Sequence, residues 1–182
     1  NLPDIEDVHA LIDILRLLGA KVEYVPECYM RIDASTATGC HVPYSLTRRL
    51  RASYYLLGAL LGRQGMAEVA YPGGCEIGSR PIDQHLKGFM ALGAEIEDRG
   101  GIVYAKANKL VGNDVFFDVV TVGGTINVML AAARAQGTTV IYNAAKEPHI
   151  VDLANFLNSM GAKVKGAGTD VIRIRGVQEL HG

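Results

Sequence analysis

Most of the reactive side chains worth singling out fall in one short run, Pro72-Gly73-Gly74-Cys75-Glu76-Ile77-Gly78-Ser79-Arg80-Pro81-Ile82-Asp83. Its glycines and prolines make the backbone turn sharply and set a thiol close to a guanidinium. A nearby cation favours the thiolate, so Cys75 has the make-up of a nucleophile or a proton donor. The guanidinium of Arg80 offers a planar fork that grips phosphate oxygens in pairs. The bland alternative is a connecting turn around an inert cysteine, because a free Cys commonly packs as a small apolar residue. What favours a reactive loop is its place between a strand and a helix.

The flanking elements supply that frame. Ala67 to Tyr71 reads as a strand entering the run, and the stretch from Pro81 reads as a helix leaving it. Proline suits a first helical turn, where the free amides of Ile82, Asp83 and Gln84 face a possible anion. His85, on the same helix, is either a packed neutral imidazole or a substrate contact. Val119-Val120-Thr121-Val122 followed by Gly123-Gly124 reads as a strand entering another helix, with glycine letting a ligand come close to the backbone. Arg51 begins as a helix-surface arginine. Glu147-Pro148 opens a further helix, where capping by the carboxylate is the simplest role.

Composition narrows the classes. The chain has 182 residues, 49% of them apolar, which is enough for a sizeable core. Its 18 Lys and Arg balance 19 Asp and Glu for a net charge of −1, and no basic run is present. A general nucleic-acid surface is therefore not expected. The three cysteines, Cys28, Cys40 and Cys75, include no CxxC pair, so neither a disulfide framework nor a zinc site is indicated, and a reducing cytoplasm fits best. No apolar run is long enough for a bilayer, and no metal or other cofactor is implied.

Three segments share one pattern: Ile5 to Ala34, Pro81 to Ala107 and His149 to Gly176 each hold a helix-period stretch, a glycine and two short strands. The punctuation reads Leu18-Gly19-Ala20-Lys21-Val22, Leu92-Gly93-Ala94-Glu95-Ile96 and Met160-Gly161-Ala162-Lys163-Val164. The second and third carry an additional helix and strand upstream, Ser45 to Gly62 with Ala67 to Tyr71, and Gly123 to Ala135 with Thr138 to Asn143. The first does not. The expected fold is α/β, one domain over 1–182 with strand-helix-strand-helix-strand-strand repeats over about 1–36, 37–109 and 110–182, the first incomplete. The chain is expected to be a piece of a longer protein.

The run Pro72 to His85 resembles the catalytic loop of the UDP-N-acetylglucosamine enolpyruvyl transferases, and further matches extend along the chain. They are Leu50-Arg51-Ala52-Ser53, Val120-Thr121-Val122-Gly123-Gly124-Thr125, Asn143-Ala144-Ala145-Lys146-Glu147-Pro148 and Gly166-Ala167-Gly168-Thr169-Asp170. The resemblance implies an inside-out α/β barrel of three such repeats, forming the cysteine-loop domain of a two-domain enzyme. The second domain, absent here, would share the active-site cleft. It also implies transfer of enolpyruvate from phosphoenolpyruvate to the 3-hydroxyl of UDP-N-acetylglucosamine, an early step of peptidoglycan synthesis.

By the same resemblance Cys75 is the acid and the atom alkylated by the epoxide fosfomycin, and Arg80 holds the substrate phosphate. Pro81, Ile82, Asp83 and Gln84, with Val119, Val120, Thr121, Val122 and Gly123, line the nucleotide-sugar site; Arg51 adds a cation for the diphosphate, and His85 is a possible contact. Some relatives carry Lys where Val119 stands, which would remove one charge contact, and no role is given to His149. A loop from about Tyr71 to Arg80 should be mobile and close over substrate. Two other readings stand beside this one: a non-catalytic repeat scaffold, and an enolpyruvyl transferase with a different acceptor.

Overall fold

The computed structural model describes residues 2–71 and 81–182. Cys75, Arg80 and the expected mobile loop after Tyr71 lie outside the described residues. The chain is mixed α/β, and its described strands form three open sheets. Two compact units interleave along the sequence. One takes the described residues within 1–54, 68–79 and 98–104, and the other those within 55–67, 80–97 and 105–182.

In the second unit β7 (Asp114–Phe116), α5 (Val122–Ala132), β8 (Thr138–Tyr142), α6 (Pro148–Ser159), β9 (Lys163–Lys165) and β10 (Val171–Arg175) follow one another. That is the strand-helix-strand-helix-strand-strand order read from the sequence. The sheet runs β7-β8-β10-β9, with β7 parallel to β8 and β10 antiparallel to both its neighbours. Val115 lies opposite Ile141, Ile141 opposite Ile172, and Ile174 opposite Val164, so one face collects the buried aliphatic residues. The alternation in Val171-Ile172-Arg173-Ile174-Arg175 produces this, because successive side chains point to opposite faces of a strand.

Helix α5 is apolar around most of its circumference and is accordingly buried along most of its length. Two other helices of the unit, α3 (Tyr55–Gln64) and α4 (Asp83–Ala91), pack against it closely. A Cβ on Gly58 would fall 2.3 Å from the Asn127 carbonyl oxygen, and one on Gly88 would fall 2.2 Å from Val128 Cγ2. Small residues at those two positions are what let the helices approach. The contact carries a buried polar tie as well, since the Gly58 N–H donates to Asn127 Oδ1 over 2.9 Å.

The first unit holds α1 (Glu6–Leu17), a hairpin of β1 (Lys21–Val25) and β2 (Tyr29–Asp33), β3 (His41–Val42), α2 (Tyr44–Thr47) and a 3-10 turn at Arg51–Tyr54. Strand β3 runs parallel to β4 (Met66–Ala70), and the unit's share of β6 (Ile102–Lys106) flanks β4 on its other edge. The order opening strand, parallel second strand, closing strand thus repeats that of β7, β8 and β10. Glu6 and Asp7 sit in the first turn of α1 and Arg16 in its last, each sign where the helix dipole favours it. Gly19, Gly93 and Gly161 have φ of 96°, 89° and 101°, the left-handed helix stop expected from their spacing.

Strand β5 (Glu95–Asp98) completes the element set. Three local expectations change. Val119 to Val122, expected as a strand entering a helix, is a bend that runs into α5 at Val122, the strand before it being β7. The single helix expected over Ser45 to Gly62 is three pieces, because Arg49 leaves the helical path to donate to Glu6 and Asp13 (2.8 Å each) while Leu50 and Ser53 turn inward. Glu147 is the N-cap residue of α6, yet its side chain makes no cap hydrogen bond. Pro148 takes the first helical position instead and removes one of the donors a cap would have to satisfy. No described helix is long and apolar enough to cross a membrane.

Candidate functional site

Two of the segments singled out from sequence meet in the second unit: Ile82–His85 at the start of α4, and 119–123 leading into α5. Pro81 is exposed and lies before the N-cap, Ile82, rather than inside the first turn. The reason is local geometry, since Ile82 has φ −106° and ψ 15° and the first helical bond runs from the Leu86 N–H to the Ile82 carbonyl. The amides of Ile82, Asp83 and Gln84 remain at the helix start, without an intrahelical acceptor.

Thr121 caps α5: its Oγ1 accepts from the Gly124 N–H at 3.2 Å, and the Thr125 hydroxyl donates to its carbonyl at 2.7 Å. The Val122 and Gly123 amides are left facing outward from the helix end. Val119 and Val120 are 59% and 57% exposed, which for valines on an ordered turn means an uncovered apolar surface beside two helix N-termini.

The tie between the segments is polar and was not legible in the sequence. Gln84, only 6% exposed, donates through Nε2 to Asp83 Oδ2 (2.8 Å) and Asp118 Oδ2 (3.1 Å), and its Oε1 accepts from the Asp118 N–H (3.0 Å). Lys87 Nζ adds a fourth bond, to Asp118 Oδ1 at 2.7 Å. The Lys87 ammonium first, and the Gln84 amide second, hold the Asp118 carboxyl below the usual carboxylate range. Asp118 and Lys87 are thus residues that pattern reading missed. An exposed Asp in a turn and an exposed Lys on a helix carry no signal of their own, and their partners are 31 to 34 positions away.

His85 packs inward, 5% exposed. Burial pushes its pKa down to about 4, against the opposing pull of a hydrogen bond with the Ile82 backbone and the charge of Asp83, so the ring is neutral at pH 7. A Cβ on Gly123 would lie 2.5 Å from His85 Nε2. The glycine that sequence reading assigned to ligand approach therefore has a packing reason: it makes room for this imidazole.

The remaining candidates lie elsewhere. Arg51 is half-buried in the 3-10 turn of the first unit. Tyr71, the last described residue before Pro72, is anchored within that unit. It accepts from Thr47 Oγ1 at 3.2 Å, donates its N–H to Gly101 at 2.9 Å, and donates its hydroxyl to Asp98 at 3.1 Å. Cys28 is exposed and Cys40 half-buried, with burial and then the charge of Glu68 raising the Cys40 pKa. Among the described residues no group of His, Cys, Asp and Glu could hold a metal ion.

The arrangement sets main-chain donors at two helix starts, which suit an anion, beside the Asp83 and Asp118 carboxylates and two exposed valines. A family model described as EPSP synthase (3-phosphoshikimate 1-carboxyvinyltransferase) matches residues 1–182. The UDP-N-acetylglucosamine 1-carboxyvinyltransferase of Clostridium botulinum is 58% identical over 182 residues, covering all of this chain and 44% of that protein. A protein of the same name from Caldanaerobacter subterraneus is 55% identical and covered to 43%. The chain thus spans less than half the length of these curated relatives.

Among solved structures, the enolpyruvyl transferase NikO from Streptomyces tendae superposes with a TM-score of 0.83 at 26% identity, over 98% of this chain and 43% of that one. EPSP synthase from Acinetobacter baumannii, at 23% identity, superposes with a TM-score of 0.71 over 97% of this chain and 40% of its own, and so shares the fold.

Proposed function

The chain belongs to the family described as EPSP synthase (3-phosphoshikimate 1-carboxyvinyltransferase), and from that membership we propose that it is the cysteine-loop part of a UDP-N-acetylglucosamine enolpyruvyl transferase. The observation that carries the choice of acceptor is the 58% identity, over every residue of the chain, with a relative named for UDP-N-acetylglucosamine. The site supports it through the two helix starts brought together at Ile82–Gln84 and Val119–Gly123, where main-chain donors suit a diphosphate.

In this reading the acceptor's 3-hydroxyl gives its proton to a base in the remainder of the enzyme as its oxygen bonds to the central carbon of phosphoenolpyruvate, while the methylene carbon of phosphoenolpyruvate takes a proton from an acid. Loss of phosphate and of a methyl proton then restores the vinyl group. Cys75 supplies the proton, and Arg80 and Arg51 hold phosphate groups. Protonation builds positive charge on the central carbon, which explains why the reaction needs an acid and fixed cations together. Because the relatives are more than twice as long, the chain alone binds nucleotide-sugar and turns over only with the remainder of the enzyme. The product would feed peptidoglycan synthesis in the cytoplasm, and the partners are the two substrates and the rest of the same enzyme.

The test is a melting series with fosfomycin labelling. UDP-N-acetylglucosamine, but not shikimate 3-phosphate, should raise the melting temperature. Fosfomycin should add to Cys75 in preference to Cys28 and Cys40. Stabilisation by shikimate 3-phosphate instead would identify a different acceptor, and indiscriminate labelling with no stabilisation by either ligand would favour a non-catalytic scaffold.

A further inference from the structure

We propose that Gln84 is the positioning residue of this site, holding the 118–121 turn and the Asp83 carboxylate in the geometry that receives the nucleotide-sugar; the proposal rests on the functional reading above and adds the group that assembles it. Gln84 is nearly buried, and among the described residues its side-chain hydrogen bonds go to Asp83, at the start of α4, and to Asp118, in the turn before α5. Its carbonyl oxygen fixes the backbone of Asp118, the residue before Val119. Its amide nitrogen fixes both the Asp118 and the Asp83 carboxylates.

A side chain that merely filled space would be an aliphatic one. A glutamine satisfies one backbone donor and two carboxylate acceptors together, which neither Leu nor Glu can do, since Leu lacks both groups and ionised Glu has no donor. Packing of α4 on α5 brings the two helix starts together, and that tie joins α4 to the turn before α5, which the bonds of Thr121, made within α5, do not. Lys87 supports it from the solvent side, through Asp118 alone.

Calorimetric titration of the chain with UDP-N-acetylglucosamine tests the role, using Gln84→Leu, Asp118→Ala and the double variant, each with a thermal melt. Hydrogen bonds to charged groups of this kind set the expected loss at about 10- to 100-fold in Kd for Gln84→Leu. Asp118→Ala should lose a similar factor, and the double variant no more than the stronger single, because both remove one tie.

Gln84→Glu gives a readout that a packing role would not move. Its affinity should rise as pH is lowered and the new carboxyl gains a proton that it can donate. The groups facing it are Asp83, Asp118, Lys87 and His85; wild type, carrying no acid at that position, should show a smaller change over the same range.

Gln84→Leu binding like wild type, or additive losses in the double variant, would overturn the positioning role alone. A Gln84→Leu chain that binds weakly only because it has unfolded in the melt, with Gln84→Glu showing the wild-type pH profile, would overturn it too. Failure of wild type to bind either UDP-N-acetylglucosamine or uridine diphosphate would remove the functional reading, and the positioning role with it.

Discussion

The hairpins β1–β2 and β9–β10 are built from nearly the same words and end in opposite environments. Gly19-Ala20-Lys21-Val22 leads into one and Gly161-Ala162-Lys163-Val164 into the other, and Val22 pairs with Ile32 as Val164 pairs with Ile174. Yet Ile174 is 0% exposed and Ile32 is 48% exposed. The difference lies outside the hairpins. Strand β10 has β8 on its second edge and α5 against its face, whereas among the described residues β2 pairs only with β1. A strand pattern therefore fixes which side chains share a face, and what is stacked on that face fixes how much they stabilise.

Mutations can break that contrast. Ile174→Ala should destabilise by about 2–5 kcal/mol, the range for a fully buried aliphatic side chain, read as a lower urea midpoint. A loss below about 1 kcal/mol would mean the β8–β10 face is not packed as described.

The next effect belongs to the same covered unit and is read by pH. His85 has a folded pKa near 4 against an ordinary 6.5, so between those values the unfolded chain binds more protons. Its contribution is complete above pH 6.5 and is lost as pH falls toward 4. The expected size is about 3 kcal/mol. Subtracting the pH profile of His85→Leu from that of wild type should isolate this slope, and parallel profiles would place the imidazole in solvent.

The smallest effect sharpens the contrast from its other side. Ile32→Ala, at the matching position of the open hairpin, should cost under about 1 kcal/mol, since little apolar area leaves water there. Equal losses for Ile32 and Ile174 would mean that the β1–β2 face is covered after all.

The same contrast explains how much could be read in advance. Helix stops at Gly19, Gly93 and Gly161 were legible because left-handed glycine follows from local chain chemistry, and the strand alternation was legible for the same reason. The helix expected over Gly123 to Ala135 was legible from its own residues, and α5 covers Val122–Ala132. The three-way break between Ser45 and Gly62 was not legible, because it is driven by Arg49 reaching acids on α1 that lie 36 and 43 positions away.

At the site, Ile82 to Gln84 and Val119 to Gly123 could be named from motif and helix-start chemistry. The tie between them could not, since the Gln84–Asp118 pairing exists only once the chain has folded. The packing of His85 on Gly123 was equally out of reach, because local sequence cannot show an imidazole arriving from another helix.

One spectrum tests the two helix starts most directly. Backbone amide resonances of the chain, followed by NMR during titration with UDP-N-acetylglucosamine, should move at Ile82–His85 and Asp118–Gly123 and stay fixed along β1 and β2. Shifts confined to the β1–β2 hairpin, or absent from both helix starts at saturation, would contradict it.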